Sequence, residues 1–389
     1  MSSSNLASSH PEESAKIKRE YKTEESKDSL PPSKRQKTGR NNGARKCADT
    51  KEGRKHIESA TKEISVILEP GDDATMTYSI MDRFRLYVHK TKILSCLEGP
   101  SSALASTAHH IQQKDQWSCG IRNLQMLLSA ILPHLPASHT LFQHVPLRQI
   151  AAVPTRLHLL KALERAWNDG FDAKGAQHYD YKIADKSGRS AHIGAIEVAN
   201  ILWYFGLDAT VVQFIKCPES RKLLPKFVKA FFSKATALEG CSFCYDKDKD
   251  GPPRVSSKYC ANSLLEYAEA DMSFAMPQEC SCPIIPLYLQ WEGHSVSIVG
   301  VDSTEENLLV LDPLKPASQL ERNMEAAQSL QPLYLSTRKL ANKDTQIVLA
   351  TLLPLDAAER RQYKQSGNVV TAAEATVQLF CRVHETKGL

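Results

Sequence analysis

One cysteine, one histidine and one aspartate, far apart in the chain, are the residues whose chemistry this sequence can combine. Cys119 stands in Trp117-Ser-Cys-Gly-Ile-Arg-Asn-Leu-Gln-Met-Leu-Leu128. Downstream of it the apolar residues Ile121, Leu124, Leu127, Leu128, Ile131 and Leu132 fall at the spacing of one helical face. Cys119 is therefore predicted at or just before a helix N-terminus. Unpaired amides and the positive end of the helix dipole favour a thiolate there, the form of cysteine that attacks carbonyls. Gly120, lacking a side chain, is expected to let a substrate backbone approach the sulfur.

A proton acceptor and an orienting carboxylate come from a predicted hairpin. Gly293-His294 heads Ser295-Val-Ser-Ile-Val-Gly-Val301, an alternating run that reads as a strand. The polar turn Asp302-Ser-Thr-Glu-Glu-Asn307 follows, then Leu308-Leu-Val-Leu311, ending in Asp312-Pro313. A hairpin centred on that turn sets Asp312 opposite Ser297 and towards the same end as His294. A thiol at a helix start, a histidine to take its proton and a carboxylate to orient the ring make a Cys-His-Asp triad of papain type.

The elements that must position these residues carry further motifs. Alongside 117–128 stand Ala166-Trp-Asn-Asp-Gly-Phe-Asp172, Ile193-Gly-Ala-Ile-Glu-Val198, Gly293-His-Ser295 and Leu309-Val-Leu-Asp-Pro313. In this order they resemble the peptidase family that holds the ubiquitin-fold-modifier-specific proteases and the zinc-finger-containing ubiquitin peptidase, over roughly residues 105 to 365. The resemblance leans to the ubiquitin peptidase branch. Cys-Gly-x-Arg-Asn-x-Gln-Met-Leu is that branch's form, whereas the modifier-specific branch has Ala after the cysteine and Ser in place of Asn123. It implies an α/β (α+β) papain-like fold, the helix of Cys119 packed on an antiparallel sheet that carries His294 and Asp312.

Beside the nucleophile, His109-His-Ile-Gln-Gln113 offers side-chain donors for an oxyanion hole, which in papain-like enzymes a glutamine shares with the cysteine's own N–H. Gln113, six residues before Cys119, is one candidate and Gln112 its neighbour and competitor. Helices are predicted over 157–170 and 192–203, and strands over 209–215 and 344–353. A charged helix follows at 357–365, and a last strand-like piece at 377–383. The loops around Asp172 and from Gln177 to Asp185 are the candidates for substrate contact.

Composition sets the frame. The chain has 389 residues, enough for a sizeable core, and ten cysteines, which at irregular spacing in an intracellular chain are expected as free thiols. Residues 1–60 hold 14 of the 49 Lys/Arg and 9 of the 44 Asp/Glu, so the rest is balanced at 35 of each. A balanced remainder argues against a catalytic domain that grips nucleic acid, and the polar N-terminus without a long apolar run argues against a membrane. Residues 1–56 read as a disordered basic tail. Within it Pro31-Pro-Ser-Lys-Arg-Gln-Lys37 has the form of a nuclear-import cluster, giving an expected location in nucleus and cytoplasm, and Ile17-Lys-Arg-Glu20 has the form of a SUMO acceptor. Residues 57–104 read as a lead-in segment on the catalytic domain, with apolar runs at 64–68 and 84–88. Residues 105–389 form the expected peptidase domain, with an insertion at 240–282. No Cys-x2-Cys…His-x3-His pattern precedes residue 110, and Cys241, Cys244, Cys260, Cys280 and Cys282 lack the framework of a zinc site, so neither metal nor cofactor is expected.

The reading that results is a thiol-dependent deubiquitinase acting on ubiquitin or ubiquitin-like modifier conjugates, the resemblance supplying the substrate. A protease for the ubiquitin-fold modifier is the near alternative. A non-catalytic ubiquitin-binding protein and an acyl transferase with the same triad are alternatives of other classes.

Overall fold

A computed structural model describes residues 75–77, 80–81, 105, 108–135, 139, 141, 153–184, 192–232, 257–270, 283–301, 307–316, 318–319, 322, 334–340, 342–367 and 369–371. The basic tail with its two motifs, the apolar runs at 64–68 and 84–88, Cys241, Cys244, Cys280, Cys282 and the run at 377–383 lie outside these residues.

Two structural layers hold the site. The first is a set of helices, of which α1 (Cys119–Ile131) is the central one, with α2 (Arg156–Asn168), α3 (Ala173–His178) and α4 (Ala195–Tyr204). Helix α1 is buried along its whole length after Cys119, because both its apolar face and its polar residues are covered by neighbours. It packs on strands and on α4, which is the setting of a core helix.

The second layer is a sheet of β3 (Leu207–Phe214), β4 (Leu287–Trp291), β5 (His294–Val301), β6 (Asn307–Leu311), β7 (Tyr334–Ser336), β8 (Thr345–Pro354) and β9 (Val369–Thr371). Their order is β7-β6-β5-β4-β8-β3-β9. Every pairing is antiparallel except β3 with β9. The architecture is thus mixed α/β around a mostly antiparallel sheet, with the helix of Cys119 against β5, the strand that His294 opens, as expected. Strands β3, β5 and β8 carry Val, Ile and Thr and are buried over most of their length, as strands covered on both faces should be.

Two further elements frame these layers. Helix α5 (Pro218–Phe232) and helix α6 (Ser257–Ala270) pack on one another, and α6 also lies on β3. Helix α6 falls inside the expected insertion, and it is pinned to the sheet. The Asp208 carboxylate accepts the N–H and O–H of Ser257 at 2.6 and 2.7 Å and the hydroxyl of Tyr363 at 2.9 Å. Cys260, one of the cysteines weighed for zinc, is buried in the core. Among the described residues no group of His, Cys, Asp or Glu could hold a metal ion. Among them, too, no helix is long and apolar enough to cross a membrane.

In the lead-in segment β1 (Thr75–Thr77) pairs antiparallel with β2 (His110–Gln112), a strand where the sequence reading had only a loop of donors. Its three residues are too few for periodicity to register. Ile80 and Met81 are buried.

Candidate active site

Cys119 is the first residue of α1, with Ser118 as its N-cap. The Ser118 side chain makes no capping bond, and the loop before it is held by Asp115 instead. Asp115 Oδ1 accepts the N–H groups of Trp117 and Ser118 at 3.1 and 2.8 Å, an Asx-type turn that fixes the approach to the helix. Asp115 Oδ2 pairs with Arg156 at 3.2 Å, and the Arg156 guanidinium lies 5.0 Å from the centre of the Trp117 ring. The polar loop of the sequence reading is therefore a tied one.

Gly120 answers to a different neighbour than expected. A Cβ there would lie 2.4 Å from the Ile193 carbonyl oxygen and 2.8 Å from Ile193 Cγ1. Its missing side chain admits the segment before α4, rather than a substrate, against the start of α1.

The helix and the histidine strand are locked together by Asn123, one turn after Cys119. Its Nδ2 donates to the Cys119 carbonyl at 2.9 Å and to Ser295 Oγ at 3.0 Å, while its Oδ1 accepts the Ser297 hydroxyl at 2.8 Å. Asn123, Ser295 and Ser297 are all buried, so each lost partner would leave a dry polar group at about 1–3 kcal/mol. Asn123→Leu is expected to lower Tm by roughly 4–8 °C at about 2–4 °C per kcal/mol, and turnover should fall with it. Thermal melts with activity on the same samples check this: an unchanged Tm would mean that the clamp holds nothing.

His294 opens β5 and Asp312 follows β6, and His294 Nε2 lies 3.0 Å from Asp312 Oδ1. A β-bulge makes this contact possible. Val301 pairs with Leu308 and Gly300 with Leu309, as the sequence register predicts, but Ile298 then pairs with Val310 and Ser297 with Leu311. Val299 is the extra residue, and its carbonyl accepts the Ala105 N–H at 2.9 Å. Asp312 is thus not opposite Ser297, which Leu311 occupies. Successive side chains alternate between faces, so this one-residue shift carries Asp312 to the face that His294 shares.

The charges follow from that contact. Burial opposes charge on His294, but its bonds and proximity to Asp312 and Cys119 outweigh it and raise the imidazole to about 9. Burial likewise works against the Cys119 thiolate, yet the His294 ring and Ser295 bring the thiol below its ordinary value. For Asp312, burial is overcome by the His294 bond and charge, the Leu314 N–H at 3.0 Å and Lys315, so its carboxyl lies below the usual range. With Nε2 committed to Asp312, the other ring nitrogen, Nδ1, is left for the sulfur. All three shifts favour a thiolate–imidazolium pair backed by a carboxylate.

Two residues near this site escaped the sequence reading in their present roles. His110, grouped there among oxyanion donors, is fully buried on β2 with Nε2 3.0 Å from the Asp312 carbonyl oxygen. A carbonyl only accepts, so His110 donates from Nε2, and burial lowers its pKa towards the neutral ring. It fixes the Asp312 backbone. Tyr288 on β4 is wholly buried and donates its hydroxyl to Gln290 Oε1 at 2.5 Å. Neither His110, on a three-residue strand, nor Tyr288 carried a sequence signal of these contacts.

The two glutamines part company. Gln112 sits in β2 opposite Thr75. Gln113 is buried, its N–H donating to the Pro313 carbonyl at 2.9 Å and its Nε2 to the Asp115 carbonyl at 2.9 Å. It thereby joins the residue after Asp312 to the loop before Cys119. Of the proposed contact loops, Asp172 is taken up locally: in a left-handed conformation (φ 45°) it accepts the Gly175 N–H at 3.0 Å and the Asn200 amide at 3.2 Å.

With this geometry in hand, the comparisons with known proteins are specific. A family model described as Peptidase family C78 matches residues 101–345. Zinc finger-containing ubiquitin peptidase 1 of Mus musculus is 26% identical over 325 residues, 82% of this chain and 48% of that protein. Ubiquitin carboxyl-terminal hydrolase mug105 of Schizosaccharomyces pombe is 27% identical over 198 residues, 51% of this chain and 59% of that one. The crystal structure of UfSP from C. elegans aligns over 69% of this chain and 38% of its own, at 12% identity and a TM-score of 0.35. The chain spans about half the length of the curated ubiquitin peptidases it matches.

Proposed function

The chain belongs to Peptidase family C78, and from that membership and the geometry of Cys119, His294 and Asp312 we propose that it is a thiol peptidase cleaving after the C-terminal glycine of ubiquitin. The observation that carries the reading is the placement of Cys119 as the first residue of α1, coupled to an imidazole that Asp312 orients at 3.0 Å. The Cys119 thiolate attacks the glycine carbonyl carbon, and the carbonyl electron pair moves to oxygen. The Cys119 N–H at the helix start and the second amide hydrogen of Gln113 are the donors for that oxyanion. As the C–N bond breaks, His294 passes its proton to the leaving amine, giving a thioester. Water, deprotonated by His294, then attacks the thioester and returns the thiol and a free carboxylate. No cofactor enters these steps.

Ubiquitin rather than the ubiquitin-fold modifier is favoured by the resemblance of Cys119-Gly-Ile-Arg-Asn123 to the ubiquitin peptidase branch. The modifier-specific branch carries alanine after the cysteine, and in this chain a Cβ at that position would meet the Ile193 carbonyl at 2.4 Å. The relatives named as ubiquitin peptidases point the same way. The test uses probes with an electrophile at the C-terminus of ubiquitin, of the ubiquitin-fold modifier and of SUMO. Labelling of Cys119 by the ubiquitin probe alone is expected. Labelling by the ubiquitin-fold-modifier probe alone would transfer the activity to the other branch, and binding without labelling would make the protein a non-catalytic reader.

A further inference from the structure

Gln113, the side-chain donor to the oxyanion in the steps above, is held in its donating orientation by a single hydrogen bond. Its side chain is buried, and Nε2 gives one hydrogen to the Asp115 carbonyl at 2.9 Å. Gln113 Oε1 is buried as well and, among the described residues, has no hydrogen-bond partner. A primary amide turned by half a revolution exchanges donor and acceptor at nearly the same place. Turned that way, Gln113 would set its oxygen against the Asp115 carbonyl, acceptor against acceptor, and would present an oxygen to the oxyanion. The Asp115 carbonyl therefore decides which end of the amide donates, and whatever fixes Asp115 bears on the reaction.

Asp115 is gripped from two directions. Oδ1 accepts the N–H groups of Trp117 and Ser118 at 3.1 and 2.8 Å, closing the loop on itself, and Oδ2 accepts from Arg156 Nη1 at 3.2 Å. The rest of the loop supplies no such hold: Lys114 and Gln116 are exposed, and the buried Ser118 hydroxyl makes no capping bond. Arg156 stands where its own helix does not favour it. It is the first residue of α2, whose first turn carries no acidic side chain, and the positive end of a helix dipole opposes a cation there. The Asp115 carboxylate supplies the missing counter-charge, and the Trp117 ring, 5.0 Å away, covers the guanidinium. The two side chains are 28% and 22% exposed, so solvent screens the pair less than it would on an open surface.

We propose that Asp115 and Arg156 are positioning residues for the hydrolysis: together they set the Asp115 carbonyl, and through it the Gln113 amide, so that the second amide hydrogen stands ready for the oxyanion. The proposal rests on the reading of Gln113 as an oxyanion donor. Both residues act through Gln113 rather than on the reacting atoms. A preset donor stabilises developing charge without reorganising, whereas an amide free to turn must be ordered as the charge forms. The cost of releasing it falls on the chemical step, because the ground-state carbonyl is the weaker acceptor. The Gln113 main chain has its own anchor, its N–H donating to the Pro313 carbonyl at 2.9 Å, so losing Asp115 frees the amide without dislodging the strand end. The thiolate has separate supports in His294 and Ser295.

The variants Asp115→Ala, Arg156→Met, Gln113→Ala and the double Asp115→Ala/Gln113→Ala, each in the full chain, test this on ubiquitin bearing a C-terminal fluorophore. Gln113→Ala should lower kcat about 10²-fold, the loss of one oxyanion donor. Asp115→Ala is expected to lower kcat about tenfold and Arg156→Met about threefold, each with KM within about twofold and an unmoved pH midpoint for Cys119 alkylation by iodoacetamide. The double variant decides the route: an effect that runs through Gln113 leaves it within about twofold of Gln113→Ala alone. Losses that multiply would make Asp115 a general support of the loop and overturn the proposal. So would wild-type kcat in both Asp115→Ala and Arg156→Met beside an impaired Gln113→Ala. Should Asp115→Ala fail to fold, Asp115→Asn replaces it, keeping an acceptor for the loop N–H groups while removing the charge, and it should match Arg156→Met; wild-type kcat there would sink the ion pair's role. A wild-type rate in Gln113→Ala, or no cleavage by the wild-type chain, would instead remove the reading on which the proposal stands.

Discussion

Cys119→Ala is expected to abolish hydrolysis of ubiquitin–fluorophore while leaving the melting temperature within a few degrees of wild type. The thiol is the only group in the mechanism that forms a bond to the substrate, and the triad acts as a unit. Its loss therefore removes about 10⁴-fold or more, leaving what oxyanion stabilisation and binding provide. The fold has little at stake. Cys119 is only partly buried and stands at the first position of α1, where alanine is a good helix former. The clamp that fixes this turn uses the Cys119 carbonyl, not its sulfur. Binding should survive, so the variant should still retain ubiquitin in a pull-down and protect it from a second peptidase. Single-turnover assays at high enzyme concentration decide the matter. Retention of more than about one hundredth of wild-type turnover would place the nucleophile elsewhere, since alanine cannot form a thioester.

How much of this was legible in the sequence depended on the range over which each signal acts. Helix α1 and the strands carrying His294 and Leu308 to Leu311 are continuous periodic segments, and their order and type follow from local spacing. The three residues proposed for the triad could be named because each begins or ends such a segment. The bulge at Val299 was not legible, since no residue type there marks it. It is fixed by the Ala105 N–H arriving from a remote part of the chain. Yet it decides which face Asp312 shares, so the contact of Asp312 with His294 was anticipated through a register one residue off. Gly120 was read correctly as a close approach, but towards substrate rather than Ile193, because only the tertiary fold brings α4 there. His110 and Asn123 belong to the same class. Their partners lie many residues away in the chain, and polar residues at such positions look solvated until the neighbouring strand is known.

The second large effect should come from Asp312→Asn, a change that keeps the shape of the side chain and removes its charge. In the wild type the thiol titrates below its ordinary value and the imidazole at about 9. Between those limits the pair is a thiolate and an imidazolium, so kcat/KM should rise with pH as the thiol ionises and fall as His294 loses its proton near pH 9. The Asp312 carboxylate stabilises the imidazolium across the 3.0 Å contact. Without that charge His294 gives up its proton at lower pH, and the thiolate, deprived of its counter-ion, needs a higher pH to form. The two limits move towards each other and the active window narrows. Asparagine also offers the ring an N–H as readily as an oxygen, so the rotamer that leaves Nδ1 facing the sulfur is no longer enforced. Turnover is expected to fall by about 10²–10⁴-fold, less than for Cys119→Ala. The His110 bond to the Asp312 backbone is untouched, so the loop position should be kept. The decisive measurement is the rate of Cys119 alkylation by iodoacetamide from pH 4 to pH 10. A midpoint displaced upward in the variant supports the electrostatic role. A profile that coincides with wild type, alongside undiminished turnover, would reduce Asp312 to the residue that ends β6, and the carboxylate behind His294 would have to be found elsewhere.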